Sequence, residues 1–360
     1  MQVARLFLLS CQKVISMPVP TRRTFIMKTA GLARKVSGWG LLALMSAGAV
    51  HAADARYPKR PVRLVVPFTP GGSTDIVARV MADAMQASLG QPVVVENRAG
   101  ASGLLGAEAV AHSAPDGYTI GLGTISTLVV NPVMLAQSAR LNPAKAFVPV
   151  VALASIPSVF SVHPSLGVNN YAQFVSVVRA QSGQHNIGSA GMGSIGHLIA
   201  ERMNADLKIK LHHIPYKGQG PVVSSALSGE TQVLSDQYPS SAPYVAAARL
   251  IPFAVAAQER LPALPQVPTF TELGYPDLND LAITWFGIVA PAGTPPAVIL
   301  KLNKAANDAL QRAEVQERLQ SMNVKALGGA PSHLTRLIEE ANRTVRQMVQ
   351  EQGLKPIKVR

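Results

Sequence analysis

The sequence predicts an α/β protein in which helices wrap a parallel sheet, and three observations carry that expectation. Short β-rich runs alternate with helical patterns along most of the chain. Glycine-rich loops sit where strands give way to helices. Apolar residues make up 48% of the 360 residues and charged ones only 15%, enough apolar material for a sizeable core and against wholesale disorder. In order, Val62 to Phe68 is β-rich, Thr69 to Asp75 is a loop, and Ile76 to Leu89 carries one apolar stripe stopped by Gly90. Pro92 to Glu96 and Tyr118 to Gly123 read as strands, with an Ala-rich helix between them ending near Ala111. Phe147 to Val162 is extended and Tyr171 to Gln181 helical. A short strand at Asn186–Ser189, a glycine-rich turn and a helix from His197 to Ala205 follow. Leu211–Tyr216 and Thr231–Asp236 are strands, Leu261 to Asp280 reads as loops, and two long helical patterns begin at Pro296 and Pro331.

The first 52 residues stand apart. They hold Arg5, Lys13, Arg22, Arg23, Lys28, Arg34 and Lys35 and no acid, over half of the formal net charge of +13. The remainder is an ordinary, mildly basic surface without a dense Lys/Arg run, so no nucleic-acid partner is expected. Residues 27–52 join a basic stretch to an apolar run ending in Val50-His51-Ala52, which reads as a signal peptide cleaved after Ala52. The apolar run is about a dozen residues, short of the roughly 20 that span a bilayer. Export and a periplasmic mature protein are therefore expected. Thr21-Arg22-Arg23-Thr24-Phe25-Ile26 resembles a twin-arginine signal, while Met27 could equally be the true start, so the export route stays open. Leu8-Leu9-Ser10-Cys11 has too little apolar chain before it for a lipoprotein signal. Cys11 is the single cysteine, so the mature chain has no disulfide, cysteine metal site or thiol nucleophile.

Two loops carry the chemistry. Thr69-Pro70-Gly71-Gly72-Ser73-Thr74-Asp75 runs from a strand into a helix. There glycines allow close approach, helix-start N–H groups suit an anion, and Ser73 or Asp75 can cap the helix. The Gly-Lys-Ser/Thr ending of a phosphate P-loop is absent. Gly191-Met192-Gly193-Ser194-Ile195-Gly196-His197 occupies an equivalent position. It formally matches G-x-G-x-x-G, but the next strand, Leu211 to Tyr216, ends in no acid to hold a ribose, so no dinucleotide cofactor is expected. It approaches a G-x-S-x-G elbow with Met192 in a glycine's place, and His197 is too near Ser194 to be a separately presented base. Ser189 and Ser194 offer hydroxyls instead. The histidines show no metal spacing, and His212 and His213, adjacent on a strand, point to opposite faces. Trp285 is expected to pack, and Lys217 to be solvated.

As a set these motifs resemble the Bug family, substrate-binding proteins of the tripartite tricarboxylate transporter type. The resemblance lies in Pro61–Phe68 with Pro70-Gly71-Gly72 and Asp75, in Val95-Glu96-Asn97-Arg98-Ala99-Gly100 with Gly103, and in Pro115–Thr119. It continues through Gly188–Ser194 with His197, Pro215–Gly218, Val267–Pro276 and Ala290–Pro295, covering nearly the whole mature chain in order. It implies a periplasmic binding protein fold of type II-like architecture, two α/β lobes with a ligand cleft between them. The expected boundaries are a signal peptide over 1–52, one lobe over 53–155 plus 283–360, and the other over 156–282. It implies a small carboxylate ligand, whether di- or tricarboxylate, aromatic carboxylate or acidic amino acid. That ligand would be held by Phe68, Gly71, Gly72, Ser73 and Asp75 from one lobe and Ser189, Gly193, Ser194 and His197 from the other. No catalysis and no cofactor are implied; a membrane permease is the implied partner and a monomer the implied state. Two departures stand out: Ala246–Leu250 in place of a more basic run, and a polar Ser235-Asp236-Gln237 that borders the expected cleft. The competing readings are an exported hydrolase using Ser194 and a sensing module for a membrane receptor.

Overall fold

The computed structural model describes residues 57–136 and 141–357; the proposed leader lies outside the described residues. The chain opens with β1 (Val62–Val66), α1 (Ser73–Leu89), β2 (Val93–Asn97), α2 (Leu104–Ala111) and β3 (Thr119–Thr124). Two single-turn helices, α3 (Asn131–Met134) and α4 (Pro143–Ala146), lead into β4 (Phe147–Ile156). The chain then crosses into a second set: β5 (Ser158–Val162), α5 (Tyr171–Ala180), β6 (His185–Ser189), α6 (Ile195–Leu207) and β7 (Leu211–Pro215). That set continues through α7 (Gln219–Ser228), β8 (Val233–Gln237), α8 (Tyr238–Ala246), β9 (Ile251–Ala256) and α9 (Pro276–Ala282). It returns through β10 (Thr284–Pro291), α10 (Pro296–Leu310), α11 (Ala313–Ser321), β11 (Lys325–Ala326) and α12 (Pro331–Glu351).

Two sheets result, one per lobe, ordered β11-β4-β10-β3-β1-β2 and β7-β6-β8-β5-β9. Each is parallel only in part, which corrects the expectation of a purely parallel sheet. β1 pairs in parallel with β2 and β3, and β6 with β7 and β8, as the β-loop-α rhythm requires. β10 runs antiparallel to both β3 and β4, and β5 antiparallel to β8 and β9. The cause is connectivity. β4 leaves the first lobe and β10 re-enters it, so neighbours at the crossing must run in opposite directions. The Phe147-to-Val162 stretch divides here at Pro157, which has no N–H to donate. A seven-residue helix, α9, also lies where the sequence reads as loop.

The cores are conventional. On α1, Val77, Ala78, Met81 and Met85 are buried against β1 and α10, and the helix ends in Gly90 at φ 68. The second lobe packs an aromatic cluster in which Phe160 meets Phe270 edge-on at 4.6 Å and Phe174 stacks on Phe253 at 3.9 Å. Each such ring is worth about 1.5–3 kcal/mol when fully buried. Trp285 on β10 is 7% exposed and packs, as expected. No described helix is long and apolar enough to cross a membrane.

Candidate functional site

The parallel strands of both sheets point their C-terminal ends at the same place, where open α/β sheets build their ligand sites. Between the lobes lies a cavity lined by Phe68 and Thr74 from the β1–α1 side and by Thr124, Ile125 and Ser126 after β3. Ala190, Ser194, Ile195 and Gly196 face them from the β6–α6 turn, with Gln219 and Ser235–Gln237 from α7 and the end of β8. Its free volume is about 40 Å³, room for about three waters, so the lobes are closed upon one another. Among the described residues, no Lys, Arg or His lines it. What it offers an anion is hydroxyls and the first turns of α1 and α6, whose N–H groups lack intrahelical acceptors.

The closure is held by named contacts. Ser73 Oγ lies 2.9 Å from Ser240 Oγ and accepts from Ser240 N–H at 3.1 Å, joining the start of α1 to the start of α8. Ser102 Oγ donates to the Met192 carbonyl at 2.5 Å, and Ile195 N–H donates to Ser126 Oγ at 3.1 Å. Ser102 holds φ at 57°, a conformation that non-glycine residues seldom adopt, at the point where it reaches across. A Cβ on Gly72 would stand 3.3 Å from the Gln219 Cβ of the opposite lobe.

The nine expected ligand residues fall into three groups. Phe68 and Ser194 line the cavity, and Gly72 and Ser73 stand at the lobe–lobe contact. Gly71 lies instead in a wider groove of about 710 Å³ beside Gly220 and Ser224. The other four are turned into supporting bonds. Asp75 is held by Arg79 at 2.8 and 3.0 Å, by Asn97 Nδ2 at 2.9 Å and by Gly71 N–H at 3.2 Å. Burial alone would push its carboxyl up, but these bonds outweigh burial and hold it below the ordinary value.

In the other lobe Ser194 caps α6, accepting from His197 N–H at 3.3 Å while its own proton goes to the Gly191 carbonyl at 2.7 Å. Gly193, at φ 75, gives its N–H to His197 Nδ1 at 3.1 Å. That fixes the His197 tautomer, with Nε2 3.5 Å from Glu201. The ring stacks at 4.2 Å on His213, whose Nε2 lies 2.6 Å from Ser189 Oγ. Burial, and next the His197 ring, push the His213 imidazole down to about 4. His212 is exposed while His213 belongs to this cluster. Lys217 is exposed, and no metal-holding cluster occurs among the described residues.

Thr124, Ser126, Ser158 and Gln219 were not singled out by sequence. Thr124 ends β3, a position that points to the cleft once the sheet is known; the others carry no local signal. The polar run Ser235-Asp236-Gln237 was flagged and does line the cavity.

Two α/β lobes closing on a cation-free cleft define a solute-binding protein. Residues 77–354 match the description Tripartite tricarboxylate transporter family receptor, and the chain belongs to that family of periplasmic solute-binding receptors. Among solved structures it is similar to periplasmic binding protein BugD, at 30% identity and TM-score 0.79 over 84% of this chain and 100% of that one. Rpa4515 of R. palustris, solved with adipate, is 32% identical at TM-score 0.79, covering 84% of this chain and 100% of that one. MatC of Rhodopseudomonas palustris, solved with bound malate, is 33% identical at TM-score 0.75, covering 81% and 100%.

Proposed function

We propose that the chain is exported, loses its leader after Ala52, and captures a small carboxylate between its lobes for a membrane permease of the tripartite tricarboxylate type. The observation that carries this reading is a cavity without cations, lined by hydroxyls and set against the N-termini of α1 and α6. An anion there is met by oriented dipoles rather than a salt bridge. The adipate and malate in the related structures are small carboxylates. Phe68, Gly72, Ser73 and Ser194 are the residues assigned to the ligand, with Gly71, Asp75, Ser189, Gly193 and His197 shaping the loops. The lobes are assigned as 53–155 plus 283–360 and 156–282, which agrees with crossings of the chain at Pro157 and Ile283. A non-catalytic role is supported by Ser194, whose hydroxyl is spent on Gly191 and whose neighbour His197 accepts from Gly193 instead.

Thermal shift and calorimetry on the mature protein, with dicarboxylates of four to six carbons, test this. A rise in melting temperature and micromolar affinity for at least one is expected; no response to any carboxylate overturns it.

A further inference from the structure

Asp236, at the end of β8, is an acid in a cavity otherwise built for an anion. It is 2% exposed and lines the cavity. Its Oδ2 accepts from Ser240 Oγ at 2.6 Å, a length typical of a hydroxyl donating to a carboxylate. Its Oδ1 is buried without a hydrogen-bond partner. Gln219, Ser241 and the Gln237 N–H lie near enough to Asp236 to offset part of the effect of burial, but none reaches Oδ1 in hydrogen-bond geometry, and Gln219 Nε2 donates instead to the Ser235 carbonyl at 3.0 Å. No cationic side chain among the described residues lines the cavity. A buried carboxylate oxygen left unpaired is costly, and a second anion placed against it would cost more. Both costs vanish if the ligand brings a donor.

Resting on the carboxylate reading above, we propose that Asp236 reads an N–H or O–H donor on the ligand, so that the cleft prefers carboxylates that also carry an ammonium or hydroxyl group over plain dicarboxylic acids. The bonding order fits this role. Ser240 N–H donates to Ser73 Oγ, Ser73 Oγ lies within reach of Ser240 Oγ and the Gln237 carbonyl, and Ser240 Oγ makes its shortest contact, 2.6 Å, to Asp236 Oδ2. Ser240 thus occupies Oδ2 and leaves Oδ1 as the open side of Asp236. Because Ser73 comes from the other lobe, its contact with Ser240 exists only when the lobes are closed.

Calorimetry with matched four-, five- and six-carbon acids at pH 8, above the value of about 7 to which burial raises the Asp236 carboxyl, tests the proposal on the ionised group. Each set holds the plain dicarboxylate, its 2-hydroxy form and its 2-amino form, succinate, malate and aspartate being the shortest. In at least one set the hydroxy or amino form should bind tenfold or more tighter than the plain acid, and which does so separates hydroxyl from ammonium. Asp236→Asn should shrink that ratio to about twofold or less. Plain acids binding as well as their donor-bearing partners would overturn the role of Asp236 and leave carboxylate capture standing. Binding to none of them would overturn both. The natural protein alone gives the first comparison, so the outcome does not depend on the variant folding.

Discussion

Ser158 and Ala282 hold the two interlobe crossings to each other: the Ser158 hydroxyl donates to the Ala282 carbonyl at 2.6 Å, and both residues are buried. Ser158 begins β5 just after the outgoing crossing, and Ala282 ends α9 just before the returning one. Beside them Thr284 pairs with Ile156 in the β10–β4 ladder. The hinge is thus cross-braced rather than two independent strands.

Ser158→Ala would leave the Ala282 carbonyl buried without this partner. A loss of about 1–3 kcal/mol is expected, read as a lower urea midpoint. Unchanged stability would mean that the brace contributes nothing.

Gly72→Val places a branched side chain against Gln219. The empty protein should melt within a few degrees of the natural one, because φ at Gly72 is an ordinary −80°. Affinity for the best carboxylate should fall tenfold or more. Adding Gln219→Ala should restore part of the affinity, an outcome that a purely local folding defect would not give.

Burial pushes the Asp236 carboxyl up to about 7, against 3.8 for a free one. In the folded protein it therefore holds its proton where the unfolded chain has lost it. Stability of the ligand-free protein is favoured below 3.8 and falls as pH rises to 7. Asp236→Asn should raise the melting temperature at pH 8 and do so less at pH 4.5. Equal gains at both would show that the carboxyl is not perturbed.

His213 gives the opposite slope. Its folded value of about 4 lies below the free 6.5, so the unfolded chain takes a proton first as pH falls. The contribution is fully present above 6.5 and lost on the way down to 4. The urea midpoint of His213→Asn should change less between pH 7 and 4.5 than that of the natural protein.

Much of the fold and part of the site were legible in the sequence, for physical reasons that differ by residue. The loops at Gly71–Ser73 and Gly191–Ser194 are visible because only glycine spacing after a strand permits such turns. The stripe of α1 is visible because helical periodicity is local. The direction of a side chain is not. Asp75 turns onto Arg79, and His197 onto Gly193 and His213, through bonds that depend on tertiary placement. Ser126 and Ser158 carry no local pattern and face the cleft only because β3 ends there and the chain crosses there. The antiparallel β10 was hidden for the same reason, since it is set by the return from the other lobe.

A cavity with only about 40 Å³ free makes ligand exchange a gated process. No dicarboxylate fits past closed lobes, so capture proceeds only during openings. The apparent dissociation constant is then the intrinsic one divided by the open fraction: a protein open about 1% of the time binds about a hundredfold more weakly than its contacts permit. Residues such as Ser102 and Ser73, which fasten the lobes to each other, therefore govern how quickly the receptor loads as well as how firmly it holds.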